Sequence, residues 1–438
     1  MNTEQTSNKR ERIGWYFYDW ANSAYPLVIN TAIFPIYYGA ITTNNNNTLV
    51  QLFGITFQNE ALYSFAIALA YGLVSIITPL LSGVADYSGK KKMFLQIFCT
   101  LGSLSCAGLF FFTRDNLPFG LLCVILSTIG FSGSLVFYNA FLPEIAPVEE
   151  QDAVSARGFA MGYAGSSILL ITCLLLVIKP ALFGINTTGL TDVGIFMMLA
   201  PYTFVLVAMW WQGFAQITFN RLRSGTARQV KGSLLSSGFR ELQHVWQELQ
   251  HQPQLKIFLG AFFVYSMGVQ TVILMSTLFG KQEIHLADGQ LIVTVLILQF
   301  IAIAGSYLFS WLSGKVGNIR ALLIALVVWI VVCLSAYVIT DAYSYYALAA
   351  LVGLVLGGIQ SLSRSTYSKL LPATQDHASY FSFYDICEKV GIVIGMFSYG
   401  WIANITGSTR NSIVALITFF ITGFVILFQL RKHSGSNK

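Results

Sequence analysis

Twelve stretches in which apolar side chains follow one another almost without interruption are the strongest constraint on this chain. They run approximately over residues 20–43, 61–84, 92–113, 118–141, 155–179, 192–218, 255–279, 289–314, 319–340, 343–366, 380–404 and 410–431. Each is long enough to cross the roughly 30 Å hydrocarbon layer of a bilayer, which takes about 20 helical residues. Runs such as Ala66 to Leu81 and Ile413 to Leu430 are continuously apolar, whereas barrel strands show alternating polarity over about ten residues. Only a helix satisfies its own backbone within such a segment. Charged residues make up 10% of the 438 positions, against about 25% in soluble domains. The chain therefore reads as an all-α membrane protein of twelve transmembrane helices, with no room for a large soluble domain.

The net charge of +6 is spread over short loops and forms no single stripe. It points to topology and away from nucleic acid. With the N-terminus inside, twenty Lys and Arg side chains, among them Arg228, Lys231 and Lys438, fall on the cytoplasmic side, and Arg114, Lys179, Lys281 and Arg410 fall outside. Both termini are thus expected in the cytoplasm. The longest connection lies after the sixth segment and divides the chain into a first bundle (1–218), a central loop (219–254) and a second bundle with a short tail (255–438). Phe239 to Leu249 has the pattern of an amphipathic helix lying on the membrane surface, with a plain tether as the alternative. Asn44 to Asn47 reads as a polar outer loop. The six cysteines all fall in apolar segments and none has metal-ligand spacing, so they read as packing residues.

The two halves echo each other. FYNAFLPEIA and STYSKLLPAT align Tyr138 with Tyr367 and Pro143 with Pro372, and SGVADYSGKKK and SWLSGKVGNIR align Ser82 with Ser310 and Gly89 with Gly317. A duplication of six helices follows, as in many transporters. The stretch Ser82 to Lys92 resembles the signature between the second and third helices of the major facilitator superfamily: Asp86, Gly89, Lys90 and Lys91 fit, while Ser82 replaces the first glycine and Gly83 follows one place later. The resemblance implies the fold of two six-helix bundles and a gating role for Asp86, Gly89, Lys90 and Lys91, with Arg364 as a further gating candidate. YDWANSAY (18–25), VFYNAFLPEIA (136–146), SARGFAMGYAG (155–165) and GGIQSLSRS (357–365) resemble one branch of that superfamily, the autophagy-related vacuolar efflux permeases and their bacterial homologues. That resemblance covers both halves. It implies a secondary transporter in a bacterial inner membrane, working as a monomer on a small-molecule substrate with a proton or other coupling ion. It departs from the branch at Met267, where an aspartate is usual, and at Ser382, where glycine is usual.

Ionisable residues inside a membrane helix cost about 2.5 to 3.5 kcal/mol each and mark function or a structural pair. Asp385, Glu388 and Lys389 lie within about 100° of one helical face. Asp385 and Lys389 form an i,i+4 pair, leaving Glu388 without a partner unless Arg364 or water provides one. Glu388, Asp385 and Asp19 are therefore the proton-coupling candidates. Asp19 also suits a gate at the cytoplasmic end of the first helix, beside an interfacial belt of Trp15, Tyr16, Tyr18 and Trp20. Lys389 joins Asn22, Asn30, Tyr138, Asn139, Tyr163, Tyr265, Gln270, Gln299 and Gln360 as substrate-binding candidates. As a set they suit a small polar or zwitterionic solute, amino-acid-like. An amphipathic drug-like molecule and a transport-inactive sensor on the same fold are the alternatives. No catalytic triad, metal spacing or phosphate-cradling loop is present in the sequence, so no enzyme activity and no cofactor are expected.

Overall fold

The computed structural model describes residues 2–43, 47–225 and 234–435. Arg228, Lys231 and Lys438, counted above toward orientation, and Asn44, Asn45 and Asn46 of the outer loop lie outside the described residues. Among the described residues twelve helices are long and apolar enough to cross a membrane: spans 1 to 6 are Lys9–Thr42, Asn59–Ser88, Lys91–Phe111, Arg114–Ile145, Val148–Ile178 and Asp192–Arg221. Spans 7 to 12 are Pro253–Gln282, Gly289–Val316, Asn318–Val338, Ala342–Leu370, His377–Thr406 and Thr409–Leu430. The chain is an integral membrane protein whose two ends lie on one face. A short antiparallel hairpin, β1 (Leu49–Leu52) and β2 (Ile55–Gln58), lies between spans 1 and 2.

The spans pack in matching sets. Span 1 lies against 5 and 6, span 4 against 2 and 3, and span 3 against 6; the second half repeats this with 7 against 11 and 12, 10 against 8 and 9, and 9 against 12. Spans 2 and 11, and spans 5 and 8, then meet across the halves. Missing side chains permit the closest approaches: a Cβ on Gly305 would lie 2.0 Å from the Leu354 carbonyl oxygen, and one on Gly357 would lie 2.1 Å from that of Ala302. Lipid gives apolar helices no hydrophobic reason to associate, so backbone contact of this kind holds spans 8 and 10 together.

Span 1 corrects the sequence reading. It begins at Lys9 and not near residue 20. Trp15 and Tyr18 are fully buried in the bundle, so they are not an interfacial belt. Hydropathy misses this first stretch because its polar groups are solvated by protein. Arg12 donates to the Ile145 carbonyl and pairs with Glu150, and Thr218 donates to the Gly14 carbonyl at 2.7 Å. Residues Tyr25–Ile33 form a π-helix. Pro26 and Pro35 lack the N–H that an α-helix needs, and single π turns are a recognised accommodation. The Thr31 hydroxyl satisfies one loosened carbonyl, that of Pro26, at 3.0 Å.

The helix between the halves, Leu234–Gln250, forms and encloses the amphipathic stretch. It packs on spans 2 and 11, where Val245 and Leu249 are buried while Phe239 and Trp246 remain about half exposed. A Cβ on Gly83 would lie 2.2 Å from the Gly238 carbonyl. The close packing expected of the glycine in the span 2 signature is thus made one residue later, against this helix.

Candidate functional site

A cavity of about 320 Å³ lies between the two halves, lined from spans 1, 2, 4, 5, 7, 8, 10 and 11. Toward the face carrying the chain ends it is floored by a buried cluster around Arg364. The Arg364 guanidinium donates to Asp19 Oδ2 from both Nη atoms at 3.2 Å, to Ser155 Oγ and its carbonyl at 3.0 and 2.9 Å, and to Asn139 Oδ1 at 3.3 Å. Tyr138 donates its hydroxyl to the same Asp19 oxygen at 2.7 Å, and the Trp15 ring lies 4.5 Å from the guanidinium. Span 10 is thereby pinned to spans 1, 4 and 5. Gly158 makes room for the pin, since a Cβ there would lie 2.5 Å from Asp19 Oδ2. Arg364 engages Asp19 and not Glu388.

Below this floor two further clusters join the halves. Asp86, at the end of span 2, accepts from the backbone N–H groups of Ala378 and Ser379 at 3.3 and 2.7 Å. It thus faces the positive end of span 11. Gly89 turns the chain with φ +69°, Lys91 pairs with Glu144, which also meets His377 at 3.0 Å, and Lys90 is solvent-exposed. On the other side Asp152, at the start of span 5, accepts from Ser313 at 2.8 Å and Asn318 at 2.7 Å and pairs with Lys369 at 2.7 Å. Sequence reasoning passed over Asp152, Asn318 and Lys369 as chemistry because they flank the apolar segments and look like loop residues.

Above the floor, Tyr163 donates to Gln360 across the halves. Higher on the wall, span 11 presents Glu388 and Lys389. Lys389 Nζ lies 3.2 Å from Asp385 Oδ1 and 3.0 Å from Glu388 Oε2, and Gln270 of span 7 donates to Glu388 Oε1 at 2.8 Å. Glu388 therefore has two partners, one of them on another helix.

Of the candidate residues, Asp19, Asn22, Asn30, Asn139, Tyr163, Tyr265, Gln270, Gln299, Gln360, Arg364, Glu388 and Lys389 all reach the cavity wall. Tyr138 stands behind it as a partner of Asp19, and Asp385 stands behind Lys389. Tyr265 is tied to Ser363 at 2.7 Å. Asp19 sits ten residues into span 1, on the cavity floor, deeper than its place at the edge of an apolar run suggested. The side-chain amide oxygens of Asn22, Asn30 and Gln299 are buried without a hydrogen-bond partner. Met267 is buried and absent from the wall. A Cβ on Gly395 would lie 2.5 Å from its carbonyl, so it belongs to the contact between spans 7 and 11.

Comparison with known proteins agrees with this architecture. A family model described as "Vacuole effluxer Atg22 like" matches residues 7–438. An "Uncharacterized MFS-type transporter YxiO" of Bacillus subtilis (strain 168) is 30% identical over 98% of this chain and 96% of its own. "Autophagy-related protein 22" of Kluyveromyces lactis is 23% identical over 98% of this chain and 95% of its own. Among solved structures, the major facilitator transporter FucP superposes with a TM-score of 0.71 at 13% identity, covering 97% of this chain and 99% of that one. A bacterial homologue of the iron transporter ferroportin gives 0.64 at 12% identity, with the same coverage; both likenesses concern the fold. The chain belongs to the Atg22-like vacuole effluxer family and is a secondary transporter of the major facilitator superfamily.

Proposed function

We propose that this transporter moves a small polar or zwitterionic solute, amino-acid-like, out across a bacterial plasma membrane by alternating access, with protons as the coupling ion. The cavity is the observation that carries this reading. Its volume of about 320 Å³ suits a small solute, and its wall mixes amides, tyrosines and the partly exposed carboxyl group of Glu388. Bundles 1–218 and 255–438 rock about this midplane site, with 219–254 as their link. The excess of basic residues on the face of the chain ends makes that face cytoplasmic. The clusters of Arg364, Asp86 and Asp152 are then the closed cytoplasmic gate, and the cavity faces outward. Gly89 supplies the turn behind Asp86, Lys91 ties the gate to Glu144, and Lys90 anchors the loop in the cytoplasm. Glu388 carries the coupling proton, because it is exposed to the cavity and held by partners that a proton would release. The family description as an effluxer supports the outward direction. The missing acid at Met267 does not favour a transport-inactive protein, since that residue lies off the wall.

The test is uptake of labelled amino acids into liposomes holding the purified protein, with and without a pH gradient. A rate that rises with an opposing proton gradient supports the reading. Equal rates in both conditions remove the coupling, and a wild-type gradient response in Glu388→Gln removes that residue's part in it.

A further inference from the structure

Four side chains that can carry charge reach the cavity wall, Asp19, Arg364, Glu388 and Lys389, and Asp385 stands behind them. Arg364 is spent on Asp19, Ser155 and Asn139, with 3% of its side chain exposed. Lys389 is held between Asp385 and Glu388, with 4% exposed, and its ammonium lies 5.9 Å from the Tyr71 ring. Neither cation is open to a carboxylate from outside. Asp19, Asp385 and Glu388 thus share two cations, and of the three only Asp19 and Glu388 reach the wall. Two observations set span 11 apart. Asp385 Oδ2 is buried with no hydrogen-bond partner, and a buried anionic oxygen without a donor is costly. Glu388 is the most open of the five, at 23% against 3 to 7% for the others. Its second partner, Gln270, is neutral and brings no charge.

The groups around Glu388 suit a cation. Tyr384 lies one turn earlier on span 11 and stacks on Phe262 of span 7 with ring centroids 4.0 Å apart. Tyr71 comes from span 2, and all three rings reach the cavity wall. Aromatic faces attract ammonium groups, more strongly where water is excluded.

We propose that Glu388 docks the ammonium group of the transported solute, and that the solute's carboxylate, where it has one, finds no free cation in the cavity. The substrates are then organic monocations built on an amine, and amino acids are recognised through the amino group alone. This rests on the transporter reading above and narrows its substrate class.

Calorimetric titration of the purified protein with two matched sets of probes tests it: phenylalanine, phenethylamine and 3-phenylpropionate, and leucine, isopentylamine and 4-methylpentanoate. Each amine is expected to bind at least as tightly as its amino acid, and each deaminated acid about tenfold or more weakly, the scale of one lost charge contact. Glu388→Gln should lose amine binding, with Glu388→Asp retaining part of it. Asp385→Asn, which removes one carboxylate without touching the docking one, should weaken amines. Acids that bind as well as amino acids while the amines stay silent would overturn the inference and leave the amino-acid reading standing. Silence of all six probes would overturn both.

Discussion

The two clusters that tie the halves together below the cavity occupy related places in a duplicated scaffold, yet they are built from different chemistry. At spans 2 and 11 the acid stands at the end of span 2 and meets backbone N–H groups. Its partner is a helix end carrying about half a charge, which no substitution of Ala378 or Ser379 by another non-proline residue removes. At spans 5 and 8 the position equivalent to Asp86 is Gly314, and the acid has moved to the start of span 5 as Asp152, where it meets the full charge of Lys369 and the side chains of Ser313 and Asn318. A glycine of positive φ has been kept at both turns, but with ψ 16° at Gly89 and 153° at Gly317. The two halves share the glycine and not the turn, and each has found its own way to place one carboxylate across the seam.

Breaking the pin between them should have the largest effect. Arg364→Ala leaves Asp19 buried and unpaired, and removal of one partner from a buried pair costs about 3 to 5 kcal/mol. Thermal unfolding in detergent should fall accordingly, with transport lost, and Arg364→Lys should recover only part because a single ammonium cannot reach Asp19, Ser155 and Asn139 together. Asp152→Asn comes next. It strands Lys369, and hydrogen bonds to charged groups contribute about 1.5 to 3 kcal/mol. Asp86→Asn should cost less, about 1 kcal/mol, the scale of a charge at a helix N-terminus. A cysteine placed at buried Ser361 in a cysteine-free background should label faster in both variants, and faster in Asp152→Asn. The reverse order would mean that the helix end, and not the ion pair, holds the two halves together.

The smallest effect is expected on the opposite face, where Glu283 receives hydrogen bonds from Thr409 and Arg410 of its own half. Partial burial raises its pKa, but those hydrogen bonds and the Arg410 charge outweigh it and hold the carboxyl below its ordinary 4.5. A depressed carboxylate stabilises the fold above its unfolded pKa, and that contribution is lost as pH falls through the lower folded value. Glu283→Gln should therefore cost under about 1 kcal/mol near neutrality, a difference that disappears in acid. It should leave Ser361→Cys labelling unchanged, because the contact does not cross the seam.

The spans were legible because twenty apolar residues in a row have one stable arrangement in lipid. The start of span 1 was not, because Arg12, Trp15 and Asp19 are accommodated by protein and a hydropathy window sees only their polarity. The surface helix was legible in its period, but its docking on Gly83 was not, since amphipathicity does not reveal whether the apolar face meets lipid or protein. Candidate residues were chosen by depth along a helix, which leaves rotation open. Tyr138 and Asp385 share the depth of their neighbours and still stand behind the wall. Asp152 escaped notice because a carboxylate beside Glu149 and Glu150 carries no mark of burial until span 8 is laid over it.

The widened turn in span 1 decides which of its residues face the cavity. Eight positions separate Asn22 from Asn30, a spacing that sets them about 80° apart around an ordinary α-helix. The π-helical stretch Tyr25–Ile33 takes in about one extra residue per turn, which brings the two amides into the near-alignment of an i,i+7 pair, and both reach the cavity. Tightening the turn between the two amides would swivel Asn30 by about 100° and carry it out of view. A change of pitch inside one helix is thus enough to redraw part of the cavity wall.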